Sequence, residues 1–232
     1  MHKRILVGAI ASAILAWAAP SHAAPVLELG LAIDGSGSMS TAQFNLQKNG
    51  YINVLQNASV MPQDGSVAIQ IVQFSSTVQS VLPMTIVTPG SLASIISALS
   101  GMSQLGGSTA IGDAITFLSN SIQTNAITSN RQVIDVSTDG EGNTGVNQVT
   151  AANSAIANGI EQVNCLGIGP DANCNFVRGA GSFSESAASF ADFQDALVRK
   201  IGREVAVPEP ASLALLGAGL IGLGTVRRRR QR

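Results

Sequence analysis

The fold is decided by the stretch Val26-Leu27-Glu28-Leu29-Gly30-Leu31-Ala32-Ile33-Asp34, followed at once by Gly35-Ser36-Gly37-Ser38. A run of apolar character ending in an acid predicts a buried strand over 26–34. The chain downstream supplies the helices that would bury it. Residues 41–56 set Phe44, Tyr51, Val54 and Leu55 on one helical face, with Ser40 or Thr41 as cap. Residues 67–74 read as a second strand and 78–87 as a third, interrupted at Pro83. A short helix follows over 91–99, then another over 110–123 with Ile111, Ala114, Ile115 and Leu118 in register. Residues 132–137 form a strand ending near Asp139, 148–158 a helix and 163–168 a strand. A closing amphipathic helix is expected over 187–204, with Phe190, Phe193, Leu197 and Ile201 as its stripe. Strands separated by helices imply right-handed crossovers and a doubly wound, mostly parallel α/β sheet flanked by helices. No internal repeat is visible.

Composition narrows the function. The chain has 232 residues and is 45% hydrophobic, enough for a sizeable core, with only 4% aromatic residues. Residues 24–210 hold 6 basic and 14 acidic side chains, a balance of −8. A body that acidic and that poor in aromatics does not suit nucleic acid. Both histidines, His2 and His22, lie outside it. That excludes a Ser-His-Asp or Cys-His mechanism and a His-ligated zinc site within it.

The two ends read as addresses. Residues 1–23 have the form of a secretory signal peptide: Lys3 and Arg4, an apolar run over 5–19, and Ser21-His22-Ala23 for cleavage by signal peptidase. An uncleaved N-terminal anchor is the alternative. At the other end Val207-Pro208-Glu209-Pro210 precedes 16 uncharged residues, 211–226, and then Arg227 to Arg230 and Arg232. A plain tail anchor is one reading, though the run is short for a span and holds four glycines. The order of the three parts resembles the PEP-CTERM sorting signal of Gram-negative bacteria. That resemblance implies processing by an exosortase and export to the periplasm, outer surface or extracellular matrix, with only transient membrane contact through the C-terminal segment. The body would then be residues 24–206 and the sorting signal 207–232.

In parallel sheets the functional crevice lies at the carboxyl ends of the strands. There the first strand runs into Asp34-Gly35-Ser36-Gly37-Ser38, one carboxylate and two hydroxyls on a tight loop. Gly106-Gly107-Ser108-Thr109 brings another hydroxyl to the start of a helix, where Thr109 could also act as N-cap. Ser137-Thr138-Asp139-Gly140 brings a second carboxylate to the same sheet edge. Two acids and three hydroxyls suit a hard divalent cation, Mg²⁺ or Mn²⁺, with Ca²⁺ not separated from them. Neutral hydroxyls leave such an ion electron-poor and receptive to one more anionic oxygen. Asp113, one turn into a helix, reads as complementing the helix dipole. Asp135 reads as a packing or hydrogen-bonding residue, and Glu141 as a solvated one.

Over about residues 26–204 the chain resembles the von Willebrand factor type A (VWA) domain, a Rossmann-like fold. Asp34, Ser36 and Ser38 match the D-x-S-x-S segment of that family's metal-ion-dependent adhesion site (MIDAS), Thr109 the threonine segment, and Asp139 the T-D-G segment. The resemblance implies that Ser36, Ser38 and Thr109 touch the ion and that Asp34 and Asp139 act largely through bound water.

Cys165 and Cys174 bracket a short loop with Gly167, Gly169 and Pro170. A disulfide is expected in an exported protein, with free buried thiols as the alternative. The expected function is a metal-dependent binding or adhesion module that engages an acidic protein or polysaccharide, and not an enzyme. A structural matrix protein with a vestigial or fold-stabilising metal site is the main alternative. A metal-assisted hydrolase is a further alternative, for which the chain lacks a D-x-D loop, a G-x-S-x-G elbow and a P-loop.

Overall fold

The computed structural model describes residues 25–206. The signal peptide expected over 1–23 and the sorting signal expected over 207–232 lie outside the described residues. The order along the chain is β1 (Leu27–Asp34), α1 (Thr41–Gln56), β2 (Val67–Phe74), β3 (Val78–Ile86), α2 (Pro89–Ser100), α3 (Ile111–Thr124), β4 (Arg131–Thr138), α4 (Gln148–Ala157), β5 (Gln162–Ile168), β6 (Ser184–Ala187) and α5 (Phe193–Val205).

One six-stranded sheet runs β3-β2-β1-β4-β5-β6. All neighbours are parallel except β2 and β3. Only Ser75, Ser76 and Thr77 separate those two, too few for a crossover, so the chain turns back as a hairpin. Pro83 does not interrupt β3. It sits on an edge strand, where a missing N–H is tolerated, and the pairing shifts register between Ile71 and its neighbours.

Every residue of β1, β2 and β5 is buried, as expected of strands covered on both sides. Strand alternation sorts the core into two layers. Leu27, Leu29, Leu31 and Ile33 of β1 pack with Phe44, Tyr51 and Val54 of α1, Ile95 of α2, and Phe193, Leu197 and Ile201 of α5. Ala32 faces the other way, with Ile134 and Val136 of β4, Ile111, Ile115 and Leu118 of α3, and Ala151 and Ala155 of α4. The strand order reverses at β1, whose neighbours are β2 and β4. The crevice at that switch point is where Asp34 and Asp139 emerge.

The expected closing helix over 187–204 is corrected at its start. Residues 184–187 instead pair in parallel with Cys165–Ile168 as β6, and the helix begins at Phe193. A turn closed by the Ser189 hydroxyl donating to Asp192 Oδ2 at 2.7 Å separates the two. The unpaired edge of β5 recruits the segment, and its hydrogen bonds override the helical spacing of Phe190. α2 starts two residues early, at Pro89, behind a reciprocal cap between Thr88 and Ser91.

Candidate metal centre

Asp34 ends β1 and is wholly buried. Its Oδ1 accepts the Ser36 N–H at 2.8 Å, which folds the loop back on itself. Its Oδ2 accepts the Thr138 hydroxyl at 2.7 Å, which ties the tip of β1 to the tip of β4. The Ser36 and Ser38 hydroxyls lie 3.0 Å apart, and Ser38 Oγ donates to Asp139 Oδ1 at 2.6 Å. Asp34, Ser36, Ser38 and Asp139 thus join in one run of hydrogen-bonded groups across two strand ends.

Thr109 reaches the same edge through the backbone. The Gly37 N–H donates to the Gly107 carbonyl at 2.9 Å, and the Gly106 N–H to the Gly35 carbonyl at 2.8 Å. Gly106 and Gly107 both have positive φ, +71° and +88°, and a Cβ on Gly107 would lie 2.6 Å from Ser76 Oγ. Only glycine permits this approach. Asn143 grips Thr109 from the far side: its Oδ1 accepts the Thr109 N–H at 2.9 Å, and its own N–H donates to the Thr109 carbonyl at 3.0 Å. The Thr109 hydroxyl makes no hydrogen bond to the other four residues among the described residues. Nor is Thr109 the helix cap; Ala110 holds that position without a side-chain bond.

Several supports carry no motif. Gln104 Nε2 donates to the carbonyls of Ser36 and Met39 at 2.9 and 2.8 Å. Gln47 Nε2 donates to the Asp34 carbonyl at 2.7 Å. Gln47 was readable as a polar residue between Phe44 and Tyr51 on an apolar helix face, whereas Gln104 and Asn143 act through distant backbone and leave no local signal. Asp113 does sit in the first turn of α3, but it also accepts the Val146 N–H at 2.8 Å and so holds the loop after β4. Asp135 is engaged in the core, away from this site.

Burial pushes the Asp34 carboxyl up to about 6; the hydrogen bonds from Ser36 and Thr138 oppose the rise and Asp139 adds to it. No basic side chain pairs with Asp34 or Asp139 among the described residues. Two neighbouring carboxylates without a counter-charge, linked by hydroxyls, fit a hard cation. No group of three or more His, Cys, Asp and Glu side chains gathers among the described residues, so hydroxyl oxygens would have to complete the shell. Beside Ser38 and Asp139 opens a cleft of about 290 Å³, walled by Pro170, Asp171 and Phe190.

A family model described as "Protein of unknown function (DUF1194)" matches residues 24–209. The chain belongs to the DUF1194 family. The PEP-CTERM protein-sorting motif matches residues 206–230, which implies export, sorting to the cell envelope and processing by an exosortase. No curated protein matches this DUF1194 chain. Among solved structures, it is similar to proximal thread matrix protein 1 from the mussel byssus, at 19% identity and TM-score 0.64, over 77% of this chain and 48% of that one. Another structure of that mussel protein has a zinc-occupied MIDAS motif. A von Willebrand factor type A protein from Catenulispora acidiphila matches at 17% identity and TM-score 0.61, over 78% of this chain and 43% of that one. The pilus adhesin SpaC from Lactobacillus rhamnosus GG matches at 17% identity and TM-score 0.61, over 79% and 31%. The DUF1194 chain therefore has the VWA fold, and spans about half or less of these three proteins.

Proposed function

We propose that this chain is an exported binding module that uses a divalent cation to engage an acidic group on a protein or polysaccharide of the envelope or matrix. The observation that carries the reading is the continuous run from Asp34 through Ser36 and Ser38 to Asp139, with Thr109 brought to the same edge. Ser36, Ser38 and Thr109 would hold the ion directly, and Asp34 and Asp139 would balance its charge. The ion, with Mg²⁺ preferred over Mn²⁺ or Ca²⁺, would supply Lewis acidity toward a partner's carboxylate. The chain's own residues set the rest. Gln104 and Gln47 hold the loop carbonyls, so that its hydroxyls stay converged without side-chain entropy to lose on binding. The acidic body would repel an acidic partner elsewhere, which confines attraction to the ion. The adhesin and the mussel matrix protein among the structural neighbours support this reading.

Binding is proposed in place of catalysis, because the hydroxyls and carboxylates gathered at the strand ends suit cation coordination and the sequence around them carries no nucleophile elbow or phosphate-binding loop. A structural matrix role with a vestigial site is the second reading. It is favoured by the Ser38–Asp139 bond, which closes the site on protein groups alone. The test is rebinding of the purified protein to matrix from the producing cells, with Mg²⁺ or with chelator, for the wild type and Asp139→Ala. Retention by wild type in Mg²⁺ alone supports the module. Equal retention of both proteins in chelator contradicts it.

A further inference from the structure

A second cluster of buried charges lies away from the metal centre, between β4 and α5. Asp135, Lys200 and Glu204 have relative exposures of 0%, 0% and 1%. Lys200 Nζ contacts Asp135 Oδ1 directly and donates to Glu204 Oε1 at 2.6 Å. Asn164 Nδ2 donates to the same Glu204 oxygen at 3.0 Å. Asp135 Oδ2 and Glu204 Oε2 have no partner among the described residues. The Phe183 ring closes the site 5.5 Å from Nζ.

One ammonium thus faces two carboxyl groups, all three shielded from bulk solvent. Burial pushes both acids up, Glu204 to about 7, while on Lys200 the two acids outweigh the opposite pull of burial. A proton passed from Nζ to Asp135 within this contact exchanges the ion pair for a free amine against a carboxylic acid, and burial lowers the cost of that exchange. A desolvated lysine amine is a nucleophile, and rigid contact removes the entropic part of the barrier to attack. Glu204 touches the attacking nitrogen, where a proton carrier is needed.

We infer that Lys200 and Asp135 condense into an intramolecular amide between α5 and β4, with Glu204 as the proton carrier. Nζ attacks Asp135 Cγ, and the carbonyl pair moves onto oxygen. Glu204 takes the proton that nitrogen sheds and returns one to the departing hydroxyl. The carbonyl re-forms, the C–O bond breaks, and one water leaves. No oxidant or cofactor is required. The bond would staple the last described helix to the middle of the sheet, immediately before the sorting motif at 206–230. Tension applied through that end would otherwise peel α5 away.

Tryptic mapping of the reduced, alkylated protein tests this. Between Arg131 and Arg178 the sequence has no Lys or Arg, and Lys200 follows Arg199. The expected product is residues 132–178 joined to residues 200–203, one water lighter than the sum of the two, with cleavage after Lys200 blocked. Glu204→Gln, shown folded by circular dichroism, is expected to give the pieces unlinked. Recovery of unlinked pieces from folded wild type overturns the bond. Equal linkage in Glu204→Gln overturns the role given to Glu204.

Discussion

Asp34 is a carboxylate kept in place at an electrostatic cost. Its folded value of about 6 lies above its ordinary value of 3.8, so the folded protein binds the proton more tightly than the unfolded chain does. The stability contributed by that proton is complete below about pH 4 and is lost as pH rises through about 6, amounting to roughly 3 kcal/mol. Metal-free protein is therefore expected to lose stability between pH 4 and 7, read by urea unfolding, and Asp34→Asn should flatten that slope. Added Mg²⁺ should raise Tm more at pH 7 than at pH 5, because the ion favours the ionised carboxylate. Gln104 belongs to the same scale. Gln104→Ala releases two loop carbonyls and should weaken Mg²⁺ binding about 10–100-fold with the fold retained. A calorimetric titration reads that loss.

At the scale of elements, α5 depends on Phe193, which is buried and meets the Tyr51 ring at a centroid distance of 5.6 Å. Phe193→Ala should cost about 3–5 kcal/mol, measured by chemical denaturation. This end of the molecule also shows where sequence stops being sufficient. β1, β2 and β5 were legible because strands buried on both faces must be apolar throughout. Ser184-Glu185-Ser186-Ala187 has no such pattern; its strand character comes from pairing with β5. The five candidate metal residues could be named from sequence because small, oxygen-bearing residues at strand ends have few other uses together. Thr138, Gln104 and Asn143 were not assigned, since their contacts connect residues 34 to 104 positions apart.

The whole molecule combines an acidic body with a C-terminal sorting motif. Among the described residues no helix is long and apolar enough to cross a membrane. The structure joins Cys165 to Cys174, nine residues apart, across the loop that follows β5. Replacing both by Ala should cost about 2–3 kcal/mol, with Tm lower by several degrees in a thermal melt. On the proposed function a cation would bridge this acidic body to an acidic partner, and Asp34, Ser36, Ser38, Thr109 and Asp139 are where the fold would hold it. Calorimetric titration of Mg²⁺ into the protein, repeated with glutamate in the buffer as a stand-in carboxylate, tests that claim most directly. The expected result is one saturable site, tightened by glutamate and absent from Asp34→Ala and Asp139→Ala. Folded wild-type protein that takes up no Mg²⁺, Mn²⁺ or Ca²⁺ in either buffer would contradict the account.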